Sequence, residues 1–184
     1  DAVQAISHLD IKFSEFNIDT MSITAHKFGG PKGVGILLVK NNTPIEYSQL
    51  GGEQETKRRA GTESVPQIVG MTKALEIATK NRDQNNIHLM QLKELFLVSL
   101  QERAIPFEVN GSMVETTGHI LNLYLPFIDV ETMLTLLDLA NIYVSSGSAC
   151  TAGSTTPSHV LAAMYEDEDR AKHSVRFSFN EITT

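Results

Sequence analysis

Lys27 follows His26 at the point where a short alternating run, Met21 to Ala25, meets a glycine-rich turn. The alternation marks a strand, and Gly29, Gly30, Pro31 and Gly33 break the chain after it. A lysine at the end of a strand in an open α/β sheet lies at the edge where cofactors bind. Partly desolvated there, it is the type of amine that forms Schiff bases with carbonyl cofactors. Lys32 and Lys40 are equally close to the turn, and periodicity does not choose among the three. The glycines carry no nucleotide signature: Gly29 to Gly35 lacks the Gly-Lys-Ser/Thr ending of a phosphate loop and the Gly-x-Gly-x-x-Gly of a dinucleotide site. A second candidate is Cys150. No apolar residue larger than alanine lies within four positions of it, so the sequence predicts an exposed, mobile thiol over about Gly147 to Thr156, the setting a reactive cysteine needs. Arg176 stands in a strand of alternating polarity, where an arginine is usually solvated; its guanidinium fork is a shape that suits a carboxylate.

The elements that must position these residues read as alternating strands and helices. Gly35 to Val39 is long enough for a buried strand. Residues 5–19 form a loop or short helix with Phe13, Phe16 and Ile18 turned inward. Pro66 opens a helix with Ile68, Val69, Ala74, Leu75, Ile77 and Ala78 as its apolar stripe. The polar stretch Asn81 to Asn86 predicts a break and a domain boundary near residue 83. Leu89, Leu92, Leu95, Phe96 and Leu100 mark a further helix. Strands are expected near 107–109, 120–125 and 173–179, a helix capped by Asp129 running to about Leu139, and a short helix from Pro157 to Tyr165. Glu166 to Asp169 and Lys57 to Arg59 read as solvated charge runs.

Composition narrows the class. The chain has 184 residues, 41% of them hydrophobic, with a net charge of −7, which suits one or two globular domains. An acidic chain lacks the basic footprint of a nucleic-acid binder. No apolar run nears the roughly 20 residues that span a bilayer. The single cysteine rules out an intrachain disulfide and fits a reducing, cytoplasmic setting.

Ser22-x-x-x-His26-Lys27-x-x-Gly-Pro-Lys-Gly-x-Gly35 resembles the pyridoxal-phosphate lysine segment of class V aminotransferase-like enzymes. Ser-Ser-Gly-Ser-Ala-Cys150-Thr is similar to the nucleophile loop of group I cysteine desulfurases of the NifS/IscS type, and is the most specific match. The resemblance covers the whole chain and implies roughly the C-terminal half of the family's length, part of a longer protein. It implies an α/β, type I pyridoxal-phosphate fold, with residues 1–82 as the later part of the large cofactor domain and 83–184 as an α+β small domain. It selects Lys27 as the cofactor lysine. Asp1 would pair with the protonated pyridine nitrogen and Gln4 would reach the ring hydroxyl. Thr24 and His26 would hold the phosphate, and Thr62 would reach the phosphate of the partner in a homodimer. Arg176 would grip the substrate carboxylate, and Cys150 would take sulfur from L-cysteine as a persulfide. L-Alanine is then the other product, and the sulfur passes to an acceptor or scaffold protein for iron–sulfur or thio-cofactor assembly. Away from the resemblance, Thr62 reads as a helix N-cap, His26 as a strand-end histidine and Asp1 as a polar terminus. Ser64, Asn180 and Glu181 depart from the family pattern, which has asparagine at the first position and Gly-Arg at the other two. Alternative readings are a selenocysteine lyase or other class V lyase, or a remnant domain that binds sulfur-transfer partners without chemistry. Borohydride reduction of the intact protein with pyridoxal phosphate, followed by peptide mapping, should place the label on Lys27; a label on Lys32 or Lys40 would overturn that assignment.

Overall fold

The structure, a computed structural model, describes residues 1–147 and 158–184. Cys150 and Pro157 lie outside the described residues, as does most of the segment in which a mobile thiol is expected. The chain divides into two compact units, Asp1–Asp83 and Gln84–Thr184.

In the first unit, β1 (Thr20–Thr24) and β2 (Gly35–Val39) pair antiparallel with Thr24 opposite Gly35. A Cβ on Gly35 would meet the Ile23 carbonyl at 2.6 Å, so the close approach of the strands requires glycine there. A 3₁₀ turn over Ala25–Phe28 follows β1 and ends at Gly29, whose φ of 82° is left-handed. Met21, Ile23, Ala25 and Phe28 form the core with Ala2 and Met71. Phe13 packs against it, whereas Phe16 and Ile18 are exposed rather than turned inward. The short 3₁₀ turn Phe13–Glu15 gives only one of these apolar side chains to the core. β2 is also less buried than its apolar run predicts, because β1 is its one partner among the described residues and Leu37 faces solvent.

Gln54–Lys57 (α1) is a single turn in which Glu55, Thr56 and Lys57 all have positive φ. After it comes α2, Val65–Glu102, one helix of 38 residues. The break expected at 81–86 does not occur. Asn81 to Asn86 contains neither Gly nor Pro, and Asn and Asp cost a helix only a fraction of a kcal/mol each, about 0.7 at most. Arg82 is also tied down within the first unit, donating to the Leu9 carbonyl at 3.1 Å and to Asp10 at 3.0 Å. Ala74, Leu75 and Ala78 face that unit's core as expected, while Val69 and Ile77 are exposed.

In the second unit, β3 (Glu108–Val109), β4 (Ile120–Tyr124) and β5 (Ser174–Ser178) form an antiparallel sheet in the order β3-β4-β5. Leu121, Leu123 and Val175 are buried on one face, against Phe96, Leu97 and Leu100 of α2 and Met133 and Leu134 of α3 (Val130–Leu139). Asp129 caps α3 as its sequence predicts, accepting from the Thr132 amide at 2.9 Å. The short helices α4 (His159–Tyr165) and α5 (Glu168–Lys172) precede β5. The acidic run is more than a solvated loop: Asp167 caps α5, accepting from Arg170 N–H at 3.1 Å, and Asp169 accepts from the Tyr124 hydroxyl.

Lys93 is the one charged side chain among the buried residues described, 2% exposed, and its amine makes only a long contact of 3.5 Å to the Thr116 hydroxyl. Burial pushes it below its ordinary value of 10.5. The unfolded chain therefore binds more protons between the lowered value and 10.5, and stability rises with pH in that window. Lys93→Met should raise Tm at neutral pH by about 2–4 °C, with the gain shrinking as the pH climbs toward 10.5, as thermal unfolding of both proteins at several pH values would show. A lower Tm for the variant at neutral pH would mean the amine is needed where it lies.

Candidate functional site

The end of β1 presents a short polar cluster. In the 3₁₀ turn, Ala25 and Phe28, three apart, point into the core, so His26 and Lys27 between them point out. Lys27 is exposed rather than partly desolvated, because its turn faces outward. The Thr24 hydroxyl and His26 Nδ1 are 3.0 Å apart. Ala2 N–H donates to the Ser22 carbonyl at 2.9 Å, which fastens the segment bearing Asp1 and Gln4 along β1. Asp1 accepts from the Val3 amide, and both Asp1 and Gln4 are exposed. The first unit thus gathers an amine, an imidazole, a hydroxyl and a carboxylate around one strand. This donor set fits a phosphorylated carbonyl cofactor with a ring nitrogen: hydroxyl and imidazole for phosphate, carboxylate for a protonated ring, amine for the carbonyl.

Thr62 is exposed and lies three residues before α2, so it does not cap that helix. Ser64 stands in the cap position instead; its carbonyl accepts from Ile68 N–H and its hydroxyl bonds the Gln67 side chain. Gln54 accepts from Gly61 N–H at 3.0 Å, which ties the turn around Gln54 to the loop that carries Thr62.

The second unit holds Arg176 on the polar face of its sheet. Asn122 lies opposite Arg176 in the ladder, and Ser145 bridges Arg176 from the other side through bonds of 2.7 and 3.2 Å. Asn110 N–H donates to the Asn122 carbonyl, so Asn110, Asn122, Arg176 and Ser145 form one row across four chain segments. Among the described residues, Arg176 Nε is buried with no hydrogen-bond partner, and no acidic side chain pairs with the guanidinium. An arginine left without a counter-charge on a sheet face is a place for an anion. Ser145 is five positions from Cys150, so the thiol segment starts from this same row. Asn180 closes an Asx turn, accepting from Ile182 N–H at 3.1 Å. Glu181 is exposed and lines a polar cleft with His88 and Gln91.

Residues 1–184, the full length given, match the aminotransferase class-V family. The chain belongs to that family. It is 47% identical over 180 residues to the IscS 1 protein of Bacillus subtilis (strain 168), covering 97% of this chain and 48% of that one. It is 39% identical to the cysteine desulfurase IscS of Dictyoglomus turgidum, covering 100% of this chain and 47% of that one. Among solved structures, a NifS-like protein at 32% identity superposes with a TM-score of 0.87 over 100% of this chain and 47% of its own. The chain therefore spans about half the length of the relatives it matches. Class V aminotransferases and the cysteine desulfurases among them depend on pyridoxal 5′-phosphate, which the donor set around β1 fits, and the fold is the α/β fold of NifS-like enzymes.

Proposed function

We propose that the protein containing this chain is a cysteine desulfurase, converting L-cysteine to L-alanine and leaving the sulfur on Cys150 as a persulfide. The observation that carries this reading is the row on the second unit's sheet: a guanidinium with no acidic partner among the described residues, bridged by backbone to the segment that leads to the chain's single cysteine. A carboxylate grip and a thiol rooted beside it are what an amino-acid substrate bearing sulfur requires.

Each residue then has a task. Lys27 holds the cofactor and moves protons at its Nζ. Thr24 Oγ1 and the His26 imidazole donate to the phosphate. Asp1 keeps the ring nitrogen protonated, and Gln4 reaches the ring hydroxyl. Bound pyridoxal phosphate supplies an electron sink that stabilises negative charge on substrate carbon. Arg176 orients the substrate by its α-carboxylate. Cys150, as thiolate, forms a bond to the substrate sulfur while the carbon–sulfur bond breaks, and the carbon skeleton gains a proton and leaves as L-alanine. Thr62, exposed on its loop, completes the partner's phosphate site in a homodimer. Residues 1–82 act as the later part of a large cofactor domain and 83–184 as the small domain that presents the substrate grip and the thiol. The sulfur goes on to an acceptor or scaffold protein, in a cytoplasmic setting. Among the described residues no helix is long and apolar enough to cross a membrane.

Cys150→Ser in the full-length protein should reduce sulfur transfer from L-cysteine to background while leaving the visible spectrum of the bound cofactor unchanged, since the thiol acts only after the cofactor is in place. Sulfide release at the parent rate would overturn the role of Cys150. An apo-like spectrum would instead point to a structural part for the residue.

A further inference from the structure

We propose that Asn122 is a positioning residue for Arg176, held to that task by Asn110 and Arg170. The inference rests on the reading of Arg176 as the carboxylate grip and adds what aims it.

Strand register supplies the first argument. Asn122 turns its backbone groups toward β3, since its carbonyl accepts from Asn110 N–H at 2.9 Å, whereas Arg176 exchanges both of its backbone bonds with Ser145. Asn122 and Arg176 are thus a non-hydrogen-bonded pair, the kind whose side chains stand closest in an antiparallel sheet. Both lie on the polar face, because their neighbours Leu121, Leu123 and Val175 are buried on the other.

The second argument is chemical. Arg176 Nε–H is buried and lacks an acceptor. Asn122 Oδ1 accepts one hydrogen bond, from Asn110 Nδ2 at 2.6 Å, and an amide oxygen has room for a second. It is a neutral acceptor at the register of that donor, which bonds nothing in this structure. Taking up Nε–H, Asn122 would leave the two terminal nitrogens of the fork for a substrate carboxylate.

The third argument is rigidity. Asn110 Nδ2 also donates to Ser174 Oγ at 2.8 Å, and Asn110 Oδ1 accepts from Arg170 Nε at 2.6 Å. Arg170 lies between two rings, 4.2 Å from the centre of Tyr165 and 5.2 Å from that of Tyr124, and bonds Glu108 at 2.7 Å. Tyr165 in turn accepts from Gly111 N–H. Asn122 is the last member of a fixed polar chain, and Arg176 is the next residue along the row. The amide matters as much as its place: a carboxylate there would neutralise Arg176 and compete with substrate.

The test is steady-state kinetics of the full-length protein with L-cysteine. Asn122→Ala should raise KM about tenfold with kcat within about threefold. Asn122→Asp, isosteric and therefore informative even where the alanine variant does not fold, should raise KM further. Asn110→Ala should act in the same direction with a smaller effect. In an Arg176→Ala background, itself high in KM, Asn122→Ala should add nothing. The proposal is overturned if both Asn122 variants keep the parent KM while Arg176→Ala raises it, if the Asn122 and Arg176 effects are additive, or if kcat and KM suffer alike, the mark of a merely structural role. Arg176→Ala with an unchanged KM would overturn the grip itself, and the aiming residue with it.

Discussion

Strand alternation is the constraint on which the second unit depends. Successive side chains of β4 and β5 go to opposite faces, and the two faces have different tasks. Leu121, Leu123 and Val175 build the core with α2 and α3, while Asn122, Tyr124, Ser174 and Arg176 lie on the other, polar face, where α5 bonds Ser174 and Tyr124. A register slip of one residue would exchange the two faces, putting Arg176 into the core and Leu123 beside Arg170. The packing that stabilises the unit therefore also fixes where the guanidinium stands. The network on the polar face adds direction to position. Tyr124 shows the coupling: its hydroxyl donates to Asp169, and that bond, with the carboxylates nearby, pushes its pKa above the ordinary tyrosine value.

In the first unit the same economy operates over fewer residues. The turn Ala25–Phe28 buries its first and last residues and exposes the two between. The apolar spacing that anchors the end of β1 is what sends His26 and Lys27 outward. Gly29 allows the left-handed exit and Gly35 the close approach to Ile23, so the glycines of this stretch serve backbone geometry around the lysine rather than nucleotide binding.

Much of this was legible in the sequence because it is local. Strand alternation at 21–25 and 173–179 and the Asp129 cap depend on neighbours within a few positions. What was not legible depends on partners far away in the chain. The continuity of α2 through Asn81 to Asn86 includes Arg82 reaching Asp10. The fates of Phe16, Ile18 and Leu37 depend on which surfaces are covered. Lys93 is buried and meets Thr116, 23 positions away, and the placing of Asn122 beside Asn110 follows from a ladder that no single strand displays. Only the fit of family motifs singled out Lys27 and Arg176, and periodicity alone left Lys32 and Lys40 as rivals of Lys27.

The backbone bridge between Ser145 and Arg176 sets a leash. Five residues of fully extended chain reach at most about 17 Å, so whatever path the chain takes, Cys150 Sγ stays within roughly that radius of the bridge. One thiol within that radius has a local concentration on the order of 0.1 M. Under the proposed function, sulfur transfer would resemble a reaction with a concentrated reagent whose supply is fixed by where the chain is nailed to the sheet, and an acceptor protein would have to bring its own receiving group inside that short radius.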